Sequence, residues 1–501
     1  MDIHKINTLG ELKKSGYQPL SIKDEIRKNL IKKIQSDEPR FKGILGYENT
    51  VLRDTETALL SRHNILYLGL RGQAKTRIAR QMTDLLDEYI PVVKGSQIND
   101  DPFSPISKYA VSLIESQGDN TPIEWLHRSQ RYGEKLATPD VSVADLVGDI
   151  DPIKAANLKL SFSDEEVIHY GIIPRSNRCV FVINELPDLQ ARIQVSLFNI
   201  LQEGDIQIRG FKLRMPLDIL FVFTANPEDY TNRGSIVTPL KDRIESQILT
   251  HYPKDLEIAL QITQQEANIL PEQTKQLAVA DILKRIVEQI AFEARSSEYV
   301  DKKSGVSARL PIAALENLIS FAERRAIINK EKESQVWISD LNGIIPAITG
   351  KIELVYEGEQ EGPYQVALNL LEKAIRTQFV QYFPAPEKQR TPTGKASQAQ
   401  PKENPYRKII QWFDAGNAVD IFADMKDNER IEALYAVDGL YGVVKKYYPL
   451  AKENENALLM EFVLHGLASY SLISKKNIEG KIQFNDLIGS MMNFGVEDDD
   501  E

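Results

Sequence analysis

Eight consecutive residues, Gly69-Leu70-Arg71-Gly72-Gln73-Ala74-Lys75-Thr76, carry the densest chemical signal in the chain. A lysine and a hydroxyl residue behind a glycine-bearing loop are what binding a polyphosphate requires. Backbone N–H groups and a helix start would face the phosphate oxygens, Lys75 would neutralise the outer ones, and the Thr76 hydroxyl would meet Mg2+. Gly69, Gly72, Gln73, Ala74, Lys75, Thr76 and Arg77 are therefore the candidate phosphate-binding residues. The run departs from G-x-x-x-x-G-K-[ST] at one place, where Ala74 replaces the second glycine. Alanine resists φ > 0, so a small adjustment of the loop is expected. Both flanks fit the motif: residues 64–68 read as a buried strand, and Ile78, Met82, Leu85 and Leu86 predict a helix over residues 76–89.

A site that hydrolyses nucleotide also needs a metal-side acid and a carboxylate that polarises the attacking water. Residues 179–183, all apolar, read as a buried strand that ends in Asn184-Glu185. Glu185 offers the carboxylate. Asn184 stands where an aspartate is expected, and with Thr76 it forms the candidate metal-side pair; an amide brings no negative charge for a hard cation. A third apolar run, residues 219–223, leads into Thr224-Ala225-Asn226-Pro227 and puts the Asn226 amide within reach of a γ-phosphate or its water. Arg243 and Arg309 are candidate cations for the transferring phosphoryl group. Residues 188–202 have the spacing of one helix, and residues 206–215 alternate apolar and basic around Gly210, which predicts a hairpin with a cationic side. Taken singly, each of these also suits an ordinary solvated arginine, capping asparagine or amphipathic hairpin.

The elements that must hold these residues divide the chain of 501 residues into several domains. Residues 1–40 are lysine-rich and predict an N-terminal helical arm. Residues 41–255 alternate short apolar runs with helical patterns, as an α/β layered core does. Residues 256–383 are mostly helical, residues 384–405 are a Pro/Lys/Gln/Ser-rich flexible linker, and 406–501 reads as a small all-helical domain with an acidic tail. Within residues 100–140, Trp125 and His127 read as a packed aromatic and a hydrogen-bonded histidine. An apolar fraction of 42% and a net charge of −11 fit a soluble protein and argue against a general nucleic-acid surface. Cys179 is the one cysteine, which excludes an intrachain disulfide and a cysteine-rich zinc site. With no signal-like start and no apolar run long enough to span a membrane, a cytoplasmic location is expected.

In this order the segments resemble the AAA+ ATPases, and among them the MoxR-like and magnesium-chelatase ATPase-subunit branch. Gly46-Tyr47-Glu48 resembles the adenine-side segment, residues 69–76 the Walker A loop, and residues 180–185 the Walker B strand. The 206–215 hairpin resembles an insertion ahead of sensor 1, Asn226 resembles sensor 1, Arg243 the arginine finger in its Leu-x-Asp-Arg context, and Arg309 the sensor-2 arginine of a lid. The resemblance implies an α/β fold: a three-layer P-loop AAA+ core with a helical lid over residues 256–383, then the linker and the helical C-terminal domain. It implies ATP and Mg2+ as ligands, hydrolysis of ATP to ADP and phosphate, and assembly into a homo-oligomeric ring, expected to be a hexamer, with Arg243 acting across the subunit boundary. It further implies a partner with a von Willebrand factor A domain and a chaperone-like role in remodelling a protein target. Two other functions stay open: a slow or non-hydrolysing nucleotide-dependent scaffold, suggested by Ala74 and Asn184, and a nucleic-acid motor, suggested by the basic hairpin.

Overall fold

The computed structural model describes residues 5–161, 164–206, 208, 215–227, 235–386, 404–478 and 480–487. The chain forms two compact units, Met1–Tyr252 and Pro253–Glu501. The first is built on five strands: β1 (Ile65–Leu68), β2 (Tyr132–Leu136), β3 (Cys179–Asn184), β4 (Ile219–Ala225) and β5 (Ser246–Leu249). They pair in the order β5-β1-β4-β3-β2, and every pairing is parallel.

A parallel sheet covered on both faces needs apolar residues at every position, which is why β1, β3 and β4 read as unbroken apolar runs. The alternation of side chains then sorts them. Ile65, Tyr67, Val180, Val182, Leu220 and Val222 face a layer that includes Ile22, Ile26, Val51, Leu59 and Ile78. Leu66, Phe181, Ile183, Phe221 and Phe223 face the opposite layer, with Leu146, Ile193, Leu197 and Leu240. The result is the three-layer α/β P-loop core expected from the sequence.

The N-terminal segment is helical, at Leu9–Lys14 and Ile22–Gln35. The second of these helices belongs to the core. Its Glu25 receives two 2.7 Å hydrogen bonds from the Arg131 guanidinium, with side chains only 4% and 1% exposed, and its Ile22 N–H donates to Asp218. The single helix predicted over residues 188–202 is in fact two, Ala191–Ser196 and Phe198–Glu203. The Leu197 N–H bonds the Gln194 carbonyl three residues back, and that tighter turn ends the first helix. Likewise the helix after β1 is α-helical only over Lys75–Gln81 and continues as a 3-10 turn, Met82–Leu85. Of the 206–215 hairpin, the base is present as the antiparallel pair Asp205–Ile206 and Met215–Pro216. Its basic residues, Arg209, Lys212 and Arg214, lie outside the described residues. Trp125 donates to the Ile6 carbonyl and His127 bonds the Ser129 hydroxyl, so both have ordinary local partners.

The second unit contains the long helices Asp281–Ser296, Arg309–Asn329, Pro363–Tyr382 and Glu453–Ser469. Where the sequence places a boundary at 384–405, the described elements on either side share one core, from Leu277 through Phe379 to Phe462 and Phe484. Buried charge joins them as well. Arg325 bonds Asp340 and, at 2.6 Å, Asp427, and the wholly buried Arg430 bonds Ser339. Residues 387–403 of the expected linker and the acidic tail at 497–501 lie outside the described residues. The segment from residue 406 is helical as expected over most of its length, yet it is not all helical. It adds an antiparallel sheet of Val419–Phe422, Lys481–Asn485 and Ser474–Ile478. The alternation that forms it, with Ile482 and Phe484 buried and their neighbours half-buried, is too short to stand out beside strong helical patterns. No described helix is long and apolar enough to cross a membrane.

Two stability predictions follow from the buried charges. Glu25→Ala leaves the Arg131 guanidinium buried without its carboxylate and is expected to cost the first unit about 3–5 kcal/mol in urea unfolding. In the second unit, burial raises the Glu288 carboxyl from 4.5 to about 7, against the opposing hydrogen bond from Thr263. The folded state therefore keeps a proton that the unfolded chain releases between these values. Stability from this group is complete below pH 4.5 and declines as pH rises to about 7. Glu288→Gln should match the wild type near pH 4.5 and exceed it by roughly 2–3 kcal/mol at about pH 8, read from the fluorescence of Trp337 and Trp412 on denaturation.

Candidate functional site

The register of the sheet fixes where the candidate residues leave it. Leu68 pairs with both Ala225 and Leu249, and Ile183 pairs with Phe223. Gly69, Asn226, Thr250 and Asn184 consequently emerge along one rim, at the carboxyl ends of β1, β4, β5 and β3. The chain runs from β1 to the far edge and back, then crosses to β5, so the direction of strand addition changes at β1. The crevice outside such a point is where open α/β sheets take ligands.

The loop from Gly69 to Thr76 closes around its own lysine. The Lys75 ammonium donates to the carbonyls of Gly69 and Leu70 and, at 2.6 Å, to Asn226 Oδ1, and the residue is only 8% exposed. Hydroxyl groups brace the loop from outside. Tyr252 donates to the Arg71 carbonyl at 2.8 Å, and Thr250 donates to Gln73 Oε1 at 2.5 Å. The Tyr47 hydroxyl lies 3.2 Å from the Gln73 carbonyl and 2.6 Å from that of His251; burial raises its pKa and keeps it a donor. A Cβ at Gly69 would collide with the Thr250 hydroxyl and the Gln73 amide oxygen, so a side chain here would displace the hydrogen bond between them. Arg77 is exposed on the first turn of the helix.

The adjustment expected around Ala74 does not occur. Ala74 takes φ +56 and ψ 15, the left-handed region that glycine would occupy freely. Holding an L-residue there costs about 1–2 kcal/mol. The conformation is imposed from both sides: Lys75 is tied back to Gly69 and Leu70, and the Ala74 carbonyl already accepts from the Ile78 N–H.

On the metal side, Asn184 Oδ1 accepts from the hydroxyls of Thr76 (3.1 Å) and Thr224 (3.0 Å). Its Nδ2 donates to Glu134 Oε1 at 2.6 Å. A carboxylate accepts only, so this partner fixes which end of the amide is nitrogen and turns the oxygen toward Thr76. Glu134 Oε2 in turn accepts from Tyr132 (2.8 Å) and Arg80 (2.9 Å). Glu185 leaves β3 with φ +55, its N–H donating to Thr224 Oγ1, and its Oε2 accepts from Asn226 Nδ2 at 2.8 Å. Asn226 thus uses both ends of its amide, accepting from Lys75 and donating to Glu185.

The remaining two candidates are the arginines. Arg243 directs its guanidinium to Gln202 Oε1 and the Pro239 carbonyl and lies over the Phe198 ring at 5.1 Å. Arg309 belongs to the second unit, where it opens the helix Arg309–Asn329 and its N–H donates to the Ser307 hydroxyl. Sequence reasoning missed Glu134, Thr224, Thr250 and Tyr252. Glu134 and Lys135 in an otherwise strand-like stretch were a signal that β2 carries a polar task, but only pairing with β3 shows which task. Among the described residues no group of three or more His, Cys, Asp or Glu forms a self-sufficient metal cluster. A cation here would share its oxygens with phosphate.

No protein-family model matches the sequence, and no curated protein matches it. Several solved structures are similar. The BchI–BchD complex of magnesium chelatase aligns at 20% identity over 64% of this chain and 98% of that one, with a TM-score of 0.33. NtrX from Brucella abortus in complex with ADP aligns at 13% identity over 70% and 66%, TM-score 0.36. A RuvB variant from Thermotoga maritima aligns at 11% identity over 68% and 79%, TM-score 0.34. Superpositions this loose add nothing to the chemistry, which rests on the site itself.

Ala74→Gly relieves the left-handed strain without changing any side-chain bond. It is expected to stabilise the first unit by about 1 kcal/mol, measured as a raised urea midpoint at constant slope. No change, or destabilisation, would show that the loop carries no strain at this position.

Proposed function

We propose that this protein binds and hydrolyses ATP as a P-loop ATPase of the AAA+ kind. One observation carries the reading: Lys75, Asn226 and Glu185 form a continuous hydrogen-bonded series along the carboxyl rim of the sheet, with the Thr76–Asn184–Glu134 series beside it. A buried cation, a bridging amide, a carboxylate and an oxygen-rich flank are the parts that phosphoryl transfer to water uses. Lys75 binds the β/γ oxygens, and Glu185 orients a water and accepts its proton as the oxygen attacks the γ-phosphorus; the bond from that phosphorus to the β,γ-bridging oxygen breaks, and ADP leaves with phosphate as the other product. Asn226 holds Glu185 in position. Thr76 and Asn184 offer oxygen donors, which suits Mg2+, and bound there Mg2+ would neutralise charge building on the phosphates.

The finer assignment is to the MoxR-like and magnesium-chelatase-like branch, working in a hexameric ring with a von Willebrand factor A partner to remodel a protein target. The order of the motifs supports it. Arg243, in its Leu-x-Asp-Arg context, is the residue assigned to a neighbouring subunit's site. A scaffold that binds nucleotide and turns it over slowly is the second reading, favoured by the amide at Asn184.

Steady-state ATP hydrolysis measured across protein concentrations separates the two. The ATPase reading expects specific activity to rise with assembly; background activity at every concentration favours the scaffold. Lys75→Ala should weaken nucleotide binding by about 10–100-fold, the worth of lost charge-assisted hydrogen bonds. Glu185→Gln should keep binding and lower turnover by about 10²–10⁴-fold. Loss of binding in Glu185→Gln would remove it from the catalytic role.

A further inference from the structure

We infer that Glu134 supplies the metal-side negative charge that Asn184 lacks, so that the site takes Mg2+ with Thr76, Asn184 and Glu134 drawn from neighbouring elements. The inference rests on the nucleotide-site reading above and deepens it. Mg2+ in phosphate sites is held by one or two carboxylates together with phosphate oxygens and retained waters. Thr76 and Asn184 provide neither charge nor carboxylate. Among the described residues, Glu134 is the carboxylate bonded to Asn184, at 2.6 Å, and the same amide reaches the Thr76 hydroxyl at 3.1 Å.

The sheet makes this placement firm. β2 and β3 are parallel, with Glu134 opposite Val182 and Leu136 opposite Asn184. Residues two apart share a face of a strand, so Glu134 and Asn184 lie on one face, two positions apart along the strand direction. The longer glutamate arm covers that step. The charge has moved one strand sideways, and because Asn184 is neutral the two positions do not repel one another.

The plainer role for Glu134 is an ion pair with Arg80. That pair is weakly held: the Arg80 side chain is 66% exposed and that of Glu134 29%. Exposed pairs contribute little, and Arg80 is free to give up the carboxylate to a divalent cation. Tyr132, by contrast, is half-buried and donates to the second oxygen, which holds the carboxylate in orientation.

The test is equilibrium binding of a fluorescent, non-hydrolysable ATP analogue to the full chain in Mg2+ and in EDTA. The wild type is expected to bind about 10–100-fold more tightly in Mg2+, and Glu134→Gln to lose that gain while its affinity in EDTA stays the same. The double variant Glu134→Gln/Asn184→Asp, with the charge returned to β3, should recover the gain. A Glu134→Gln protein with the full Mg2+ gain overturns the inference and leaves the nucleotide-site reading intact. So does a loss of affinity in EDTA as well, which marks Glu134 as merely structural. A wild type that binds the analogue in neither medium overturns the nucleotide-site reading itself.

Discussion

The in-register parallel pairing of β1, β3 and β4 is the constraint on which everything at the candidate site depends. Main-chain hydrogen bonds between neighbours allow little slippage once both faces are buried, because moving a strand by one residue would send its apolar set to the wrong layer. With Leu68 fixed beside Ala225 and Ile183 beside Phe223, the next residues of each chain segment have no choice of location. Lys75, Glu185 and Asn226, successive members lying 110 and 41 positions apart in sequence, meet because three strands stop within one residue of the same level. The short side chains at the rim then need only one amide, that of Asn226, to span from cation to carboxylate.

Around that rim the polar groups are almost entirely mutual partners. A lysine buried to 8% exposure would be costly alone, and its bonds to two loop carbonyls and Asn226 offset much of the desolvation. The same ties explain the tolerance of Ala74 in a left-handed conformation: the surrounding bonds hold a backbone shape that the residue itself disfavours. Asn184 follows similar logic. Its amide accepts from two hydroxyls and donates to a carboxylate, three bonds that an aspartate in its place could not all make beside Glu134.

The second unit uses buried charge for a different purpose. Arg325 and Arg430 join the helix Arg309–Asn329 and the 334–340 segment to residues beyond 404 through Asp427, Ser339 and Glu461. Burial raises the Glu461 carboxyl, while Arg430, the Ser339 side chain and the Ile338 N–H oppose that rise. These groups lie within the shared apolar core, and their effect is on which elements pack together. Removing one partner would leave an uncompensated buried charge, so the network ties these elements together through the cost of breaking it.

Local pattern determined a great deal of this protein. The unbroken apolar runs at residues 65–68, 179–183 and 219–223 specify strands covered on both faces. The glycine-bearing loop ending in Lys75-Thr76, the Asn184-Glu185 strand end and Asn226 were legible because each is contiguous, and their spacing implied a phosphate site. Tertiary structure decided what no contiguous window contains. It set the φ of Ala74, because the ties to Gly69 and Ile78 come from outside the residue. It broke the 188–202 helix at Leu197 and gave the C-terminal region a sheet from strands of four and five residues. Above all, it brought Glu134 to Asn184, since hydrogen bonding between β2 and β3 joins positions fifty residues apart in sequence and sequence spacing carries no record of which strands become neighbours.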